Sequence, residues 1–270
     1  FWRLVLVGMA GAAFFWLVSV LGEERRARRI GTLPPAPPAG APVLSLRATL
    51  SGVWSDPRTR RYAVFLAVSA FFAFMQDAVL EPFGGDVFGL SAGETTRFNA
   101  YWGVGVLLSM IATYGLTRKR RPDQQVSTTA WGLLLLGLAV GLLSVAALRE
   151  SLAMVVPMLV FFGIGFGVFT VGGVSLLMAV TTAERAASYL ALWSVIQLVS
   201  RGLGIAAGGV LRDVVNTLSG QISLAYGAVF AVEAIGLFLC ILLLRRVDIR
   251  GFAEGTRSGV SSQSIVPTLD

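Results

Sequence analysis

LAMVVPMLVFFGIGFGVFTVGGVSLLMAV, residues Leu152–Val180, contains no charged side chain. A helix that crosses the hydrocarbon core of a bilayer needs about 20 such residues, because lipid leaves every backbone polar group to be satisfied within the segment. Six more stretches meet that requirement: Phe1–Leu21, Tyr62–Leu80, Phe98–Thr117, Thr129–Leu148, Ala187–Leu211 and Ile222–Leu244. The extra length of Leu152–Val180 points to a tilted span or to one that ends in the headgroup layer. Over all 270 residues, 55% are hydrophobic and 14% charged, against about a quarter charged in soluble domains, and the mean hydropathy is +0.75. A soluble fold of this length has no interior large enough for that much apolar surface, so lipid is its expected solvent.

Arginine and lysine give these spans a direction, since cytoplasmic loops collect them. Arg25, Arg26, Arg28 and Arg29 follow the first span, with Arg47, Arg58, Arg60 and Arg61 before the second. Arg118, Lys119, Arg120 and Arg121 follow the third, Arg185 the fifth, and Arg245, Arg246, Arg250 and Arg257 the seventh. The alternate loops hold Arg97, Arg149 and Arg212 alone. This alternation supports the helix count and implies a cytoplasmic C-terminus. The net charge of +7 is thereby topology signal and lipid contact rather than a nucleic-acid surface.

The expected organisation is an all-α membrane protein in four parts. Residues 1–21 are a transmembrane helix, and 22–61 a cytoplasmic linker. The linker's LPPAPPAGAP stretch (Leu33–Pro42) cannot be helical, and the LSLRATLSGVW stretch after it reads as a short interfacial helix. Residues 62–246 form a six-helix bundle, and 247–270 a disordered tail. The chain opens at Phe1 inside an apolar run, and one helix, a long linker and six helices is the layout of helix six, the central loop and helices seven to twelve of a twelve-helix transporter fold built from two halves.

The chemistry-bearing residues are few. There is no histidine, which removes the usual general base and the commonest metal ligand. The one cysteine, Cys240, lies in an apolar run, so neither a disulfide nor a cysteine metal site is available. No catalytic residue and no metal site is assigned, and an enzyme reading finds nothing to stand on. The stretch FMQDAVLEPFGGDVFGLSAGETTRF (Phe74–Phe98) is expected to close the second span and form an outward loop. Gln76 and Asp77 fall in or near the hydrocarbon region, where a carboxylate at a span centre costs about 2.5–3.5 kcal/mol and faces a bundle interior or cavity. Glu81 follows Asp77 by four residues, on the same helix face. Pro82 is the expected helix end, and Gly84-Gly85 a tight turn. The segment reads either as an ordinary span end whose carboxylates reach water or as a polar site at the bundle mouth. Ser91 and Glu94 have capping-box spacing, which by itself accounts for Glu94.

Gly163, Gly165, Gly167, Gly172 and Gly173 in the fifth span read as close helix packing or as a flat surface for a large planar ligand. The sixth span, ALWSVIQLVSRGLGIAAGGVLRD, carries Arg201 at its middle, with Gln197 four residues before it. Glu233 is the first expected partner of Arg201, forming an intramembrane charge pair, and Asp77 the second.

Taken together, MQDAVLEPFGGDVFGLSAGETT resembles the bacteriochlorophyll-delivery branch of the major facilitator superfamily, the PucC-like and LhaA-like assembly proteins of purple phototrophic bacteria. The approach WSDPRTRRYAVFLAVSAFFAF and the sixth span, with its ending from Gly208 or Gly209 to Arg212-Asp213, are similar to that family too. Gly115 before Arg118–Arg121 resembles a basic loop of the superfamily, with Thr117 where an Asp usually sits. The resemblance implies a major-facilitator-type bundle in the bacterial inner (intracytoplasmic) membrane. It implies a light-harvesting complex assembly factor that binds or hands over bacteriochlorophyll, with light-harvesting or reaction-centre polypeptides as partners and no catalysis. Carried onto this chain, the site candidates are Gln76, Asp77, Glu81, Pro82, Gly84, Gly85, Gly89, Glu94 and Thr95. Bacteriochlorophyll magnesium prefers oxygen or imidazole ligands. Without histidine, an axial ligand is left to Gln, Asn, Asp, Glu, a backbone carbonyl or water, and Gln76, Asn99 and Gln197 are neutral oxygen donors in the right regions. The competing reading is a secondary transporter that moves a small solute by alternating access, with Asp77, Arg201 and Glu233 as its working groups.

Overall fold

Pro82 sets the course of the first described span. A proline inside a helix lacks the N–H for the bond to the fourth residue before it, and its ring crowds that residue's carbonyl; here that residue is Ala78. Helix α1 (Pro57–Ala73) accordingly stops short of it. A 3₁₀ turn, Met75–Ala78, follows, held by Asp77 N–H to Phe74 O (3.2 Å) and Val79 N–H to Gln76 O (2.9 Å). A second helix, α2 (Leu80–Phe88), then begins with Pro82 in its first turn, where a missing N–H costs nothing. Together these pieces form one candidate span, Arg60–Phe88.

Pro82 is thus near a helix start rather than at its end, and Gly84-Gly85 lie inside α2 rather than in a turn. Most of the expected outward loop is helix. The reversal falls at Gly89, whose φ of 66° and ψ of 22° are left-handed. Gly89 N–H donates to Gly85 O at 2.9 Å, and Leu90 N–H to Gly84 O at 3.2 Å. Asp77 and Glu81 are therefore not one turn apart on a continuous helix.

The computed structural model describes residues 57–120, 122–180 and 186–247, with scattered helical positions between 6 and 17. The chain divides into two units, Phe1–Leu44 and Ser45–Asp270, and the second holds everything below. Most of the expected linker, much of the expected first span, and residues 248–270 lie outside the described residues.

After α2 come α3 (Ala92–Thr117), α4 (Pro122–Leu148), α5 (Leu152–Val180), α6 (Ala186–Ser219) and α7 (Ile222–Arg245). Among the described residues, six spans are long and apolar enough to cross a membrane, and no strand occurs. The fold is an all-α, multi-pass membrane bundle. Its turns are short: Glu150 (φ 49°) and Gly220 (φ 66°) take left-handed backbone after α4 and α6, and Ser91 with Glu94 opens α3 through a capping box.

Glycines set how closely the helices approach. Helix α5 packs on both α3 and α4, α4 on α7, and α6 on α1 and α7. A methyl carbon on Gly163 would lie 2.9 Å from the carbonyl carbon of Trp102 on α3. One on Gly165 would lie 2.7 Å from Leu136 N on α4, and one on Gly172 would lie 2.7 Å from Thr129 N. Gly204 and Gly208 stand four apart on α6 and meet the backbones of Phe71 and Met75. Such small-residue contacts supply packing where lipid removes the hydrophobic drive between helices. Under the 3₁₀ turn sits an aromatic core in which Phe83 touches Phe88, Tyr226 and Phe230 with ring centroids 5.1–5.3 Å apart.

Candidate functional site

The break in the first span is what turns Asp77 toward α6. A 3₁₀ turn aims successive side chains differently from an α-helix. From it, Asp77 Oδ2 accepts a 2.8 Å hydrogen bond from the Arg201 guanidinium. That guanidinium also stacks over the Phe74 ring, 4.4 Å from its centroid. The expected Arg201–Glu233 pair is therefore replaced by Arg201–Asp77. The reason is steric: Glu233 is fully buried on α7, whereas half of the Arg201 side chain is exposed. Both Glu233 carboxylate oxygens are buried without a hydrogen-bond partner. Gln76, 3% exposed, donates from Nε2 to Asp77 Oδ1 at 3.3 Å and leaves its Oε1 unpartnered.

Arg201 forms one end of a cleft between α5 and α6, with α1 behind it. Phe74, Phe166, Phe169, Trp193, Gln197 and Arg201 contribute to its walls, and its volume is about 380 Å³. Trp193, Gln197 and Arg201 are spaced by four, which puts them on one face of α6. The Trp193 indole N–H is buried beside the cleft without an acceptor. Gly173 also lines the cleft and leaves open space where a side chain would be, whereas Gly163, Gly165, Gly167 and Gly172 are taken up in helix packing.

An aromatic run leads away from this point. Phe74 meets Phe166 edge-on at 5.4 Å, and Phe166 meets Trp102 at 5.9 Å. Trp102 Nε1 donates to Asn99 Oδ1 at 3.0 Å, and Asn99 Nδ2 donates to Glu81 Oε1. Asn99 and Glu81 thus satisfy each other outside the cleft. The remaining motif residues have structural partners. Gly84 sits against Thr95 Cγ2 and the Phe98 ring, and Thr95 Oγ1 donates to Ala92 O at 3.1 Å. Glu94 Oε2 accepts from both Ser91 N–H (2.9 Å) and Ser91 Oγ–H (2.7 Å). Gln76, Asp77, Gln197 and Arg201 are the expected residues gathered at or beside the cleft.

Two features had not been anticipated. The spacing of Trp193, Gln197 and Arg201 could have revealed the aromatic side of the cleft. No sequence signal could have revealed the second polar cluster, in which Tyr226 OH donates to Asp86 Oδ2 and Arg212 Nη1 donates to Tyr226 OH at 3.4 Å. Arg212 Nε also donates to Asp213 Oδ1 at 2.9 Å. The residues it joins, Asp86 and Tyr226, are 140 positions apart.

A helical bundle with an ion pair inside its spans and an aromatic cleft beside that pair defines a polytopic membrane protein. The comparisons are more particular. The family model described as PUCC protein matches residues 5–252, and the chain belongs to the PucC family. It is 29% identical over 239 residues to the bacteriochlorophyll synthase 44.5 kDa chain of Rhodobacter capsulatus, covering 87% of this chain and 53% of that protein. It is 33% identical over 180 residues to Protein PucC of Cereibacter sphaeroides, covering 63% of this chain and 38% of that one. The chain thus spans about half the length, or less, of these curated relatives. No solved structure matches it.

Proposed function

We propose that this protein belongs to a photosynthetic assembly factor that binds bacteriochlorophyll in the membrane and hands it to light-harvesting or reaction-centre polypeptides, without catalysing a reaction. The α5–α6 cleft carries the reading. Its walls are largely aromatic and aliphatic, its lining includes the neutral oxygen donors Thr170, Ser194 and Gln197, and it also takes in Trp193, whose indole N–H has no acceptor. The residues fit the pigment. Magnesium takes oxygen ligands, the chain has no histidine, and Gln197 is the amide oxygen donor on the cleft wall. Arg201 and Trp193 can donate to peripheral carbonyl groups. An amide oxygen binds magnesium more weakly than an anionic ligand, which suits a carrier that must release its load. The name of the Rhodobacter capsulatus relative, a bacteriochlorophyll synthase chain, supports the pigment link. The family resemblance supports an inner-membrane, intracytoplasmic location, and the arginine distribution supports a cytoplasmic C-terminus. Residues 62–246 are then the C-terminal half of a major-facilitator-type protein, with residues 1–21 its sixth helix, 22–61 its linker and 247–270 its tail.

One observation favours a second reading, solute transport by alternating access: Glu233 is wholly buried mid-span with both oxygens unpartnered, and intramembrane carboxylates mark proton relays. The two separate in one experiment. The protein is purified in mild detergent from a pigment-making host and its near-infrared spectrum recorded. Stoichiometric bacteriochlorophyll, lost in Gln197→Leu and kept in Glu233→Gln, is the expected result. A colourless wild-type protein, with normal antenna in a deletion strain, would overturn pigment delivery.

A further inference from the structure

A second cavity lies between the start of α1 and the end of α7. It measures about 550 Å³ and is lined by Arg60, Arg61, Val64, Phe65, Leu243 and Arg246, sharing no residue with the α5–α6 cleft. Three guanidinium groups surround one space. The ion pairs among the described residues are Arg201–Asp77 and Arg212–Asp213, and neither involves these three arginines. The first turn of α1 carries no acidic residue. Like charges held around one cavity repel, and an anion inside it relieves that repulsion. The planar guanidinium fork matches phosphate oxygens in pairs.

The apolar part of the lining decides between kinds of anion. Phe65 is buried, Val64 is 41% exposed, and Leu243 continues the same apolar surface. A small hydrated anion gains nothing from that surface, whereas a phosphate attached to glycerol and acyl chains covers it. The three arginines stand at span ends on the arginine-rich side of the bundle, the depth at which headgroups lie. Basic pockets of this kind between transmembrane helices bind anionic headgroups. We propose that the α1–α7 pocket binds the phosphodiester headgroup of an anionic phospholipid, with Arg60, Arg61 and Arg246 on the phosphate and Val64, Phe65 and Leu243 against the acyl region.

The test is native mass spectrometry of the purified protein after delipidation and titration with phosphatidylglycerol or, separately, phosphatidylcholine. The wild-type protein is expected to retain phosphatidylglycerol and not phosphatidylcholine. At about 1 kcal/mol per cation and tenfold per 1.4 kcal/mol, Arg60→Gln/Arg61→Gln/Arg246→Gln weakens retention on the order of 100-fold. The Arg118→Gln/Lys119→Gln variant removes two exposed cations outside the pocket and should leave retention within roughly twofold. Arg246→Gln alone, the milder substitution should the triple variant fail to fold, lowers retention roughly fivefold. Undiminished retention in the triple variant, or in Arg246→Gln alone, would overturn the proposal. So would displacement of the lipid by millimolar inorganic phosphate, which would make the site one for a free anion.

Discussion

Asp77 and Arg201 stand 124 positions apart and meet only because the first span breaks beside Phe74. Removing either partner strands the other's charge among apolar side chains, whereas removing both does not. Asp77→Asn and Arg201→Gln should each lower the thermal midpoint in detergent, and the double variant should lose less than the two combined. A coupling on the order of 1–3 kcal/mol is expected from the double-mutant cycle, and zero coupling would mean that the 2.8 Å contact carries no energy. Glu233 behaves in the opposite way. Its two carboxylate oxygens have no partner, and a buried polar group without one costs about 1–3 kcal/mol. Glu233→Met should leave the thermal midpoint unchanged or raise it. A drop of several degrees would reveal a partner for the carboxylate. If the same variant also impaired antenna assembly or transport, a residue kept at the expense of stability would be identified as functional.

Helix separation is set by backbone contact in this bundle, so the sensitive glycines differ from the tolerant ones by position alone. Gly163→Ala puts a methyl carbon 2.9 Å from the carbonyl carbon of Trp102 and 3.0 Å from Val106 N, both rigid backbone. Pushing α3 off α5 should cost about 1–3 kcal/mol, read as a lower melting midpoint. Gly115→Ala, on a face of α3 with nothing within 4 Å, should be neutral or slightly stabilising through helix propensity. Equal effects of the two substitutions would refute packing through Gly163. The α2–α3 corner follows similar rules: Gly84 lets the Thr95 methyl and the Phe98 ring close against α2, Gly89 supplies the left-handed turn, and Glu94 caps the next helix. Much of the motif that carries the family resemblance therefore builds a corner, at the far end of α2 from the break that turns Asp77 toward α6.

Across the whole bundle, the arginine bias and the alternating spans predict that Arg118 and Arg212 face opposite sides of the membrane. Cys240 is the chain's single cysteine and is buried, so Cys240→Ala provides a background for labelling. A cysteine introduced at Lys119 should react with an impermeant maleimide from one side only, and one at Asp213 from the other only. Labelling of both from the same side would contradict the six-span arrangement. Helices α3 and α6 keep broad exposed apolar faces, including Leu107, Leu108 and Ile111 on the one and Leu198, Val199 and Leu203 on the other. Exposed surface of that character is stable in lipid or against further helices.

Composition, span length and the alternation of arginine were sufficient for a multi-pass helical protein, because hydrocarbon admits so few ways to satisfy a backbone. They placed α5 at Leu152–Val180, the same limits the structure shows, and they marked Asp77, Arg201 and Glu233 as unusual. Only tertiary structure decided which carboxylate Arg201 takes, since charge-pair distance depends on helix rotation and on a break that hydropathy does not register. It also decided that Pro82 begins a helix, a matter of whether the chain bends before or after the ring. The meeting of Phe166 and Trp193 in one cleft was likewise beyond sequence, because nothing in a linear pattern of apolar residues says which apolar faces leave space between them.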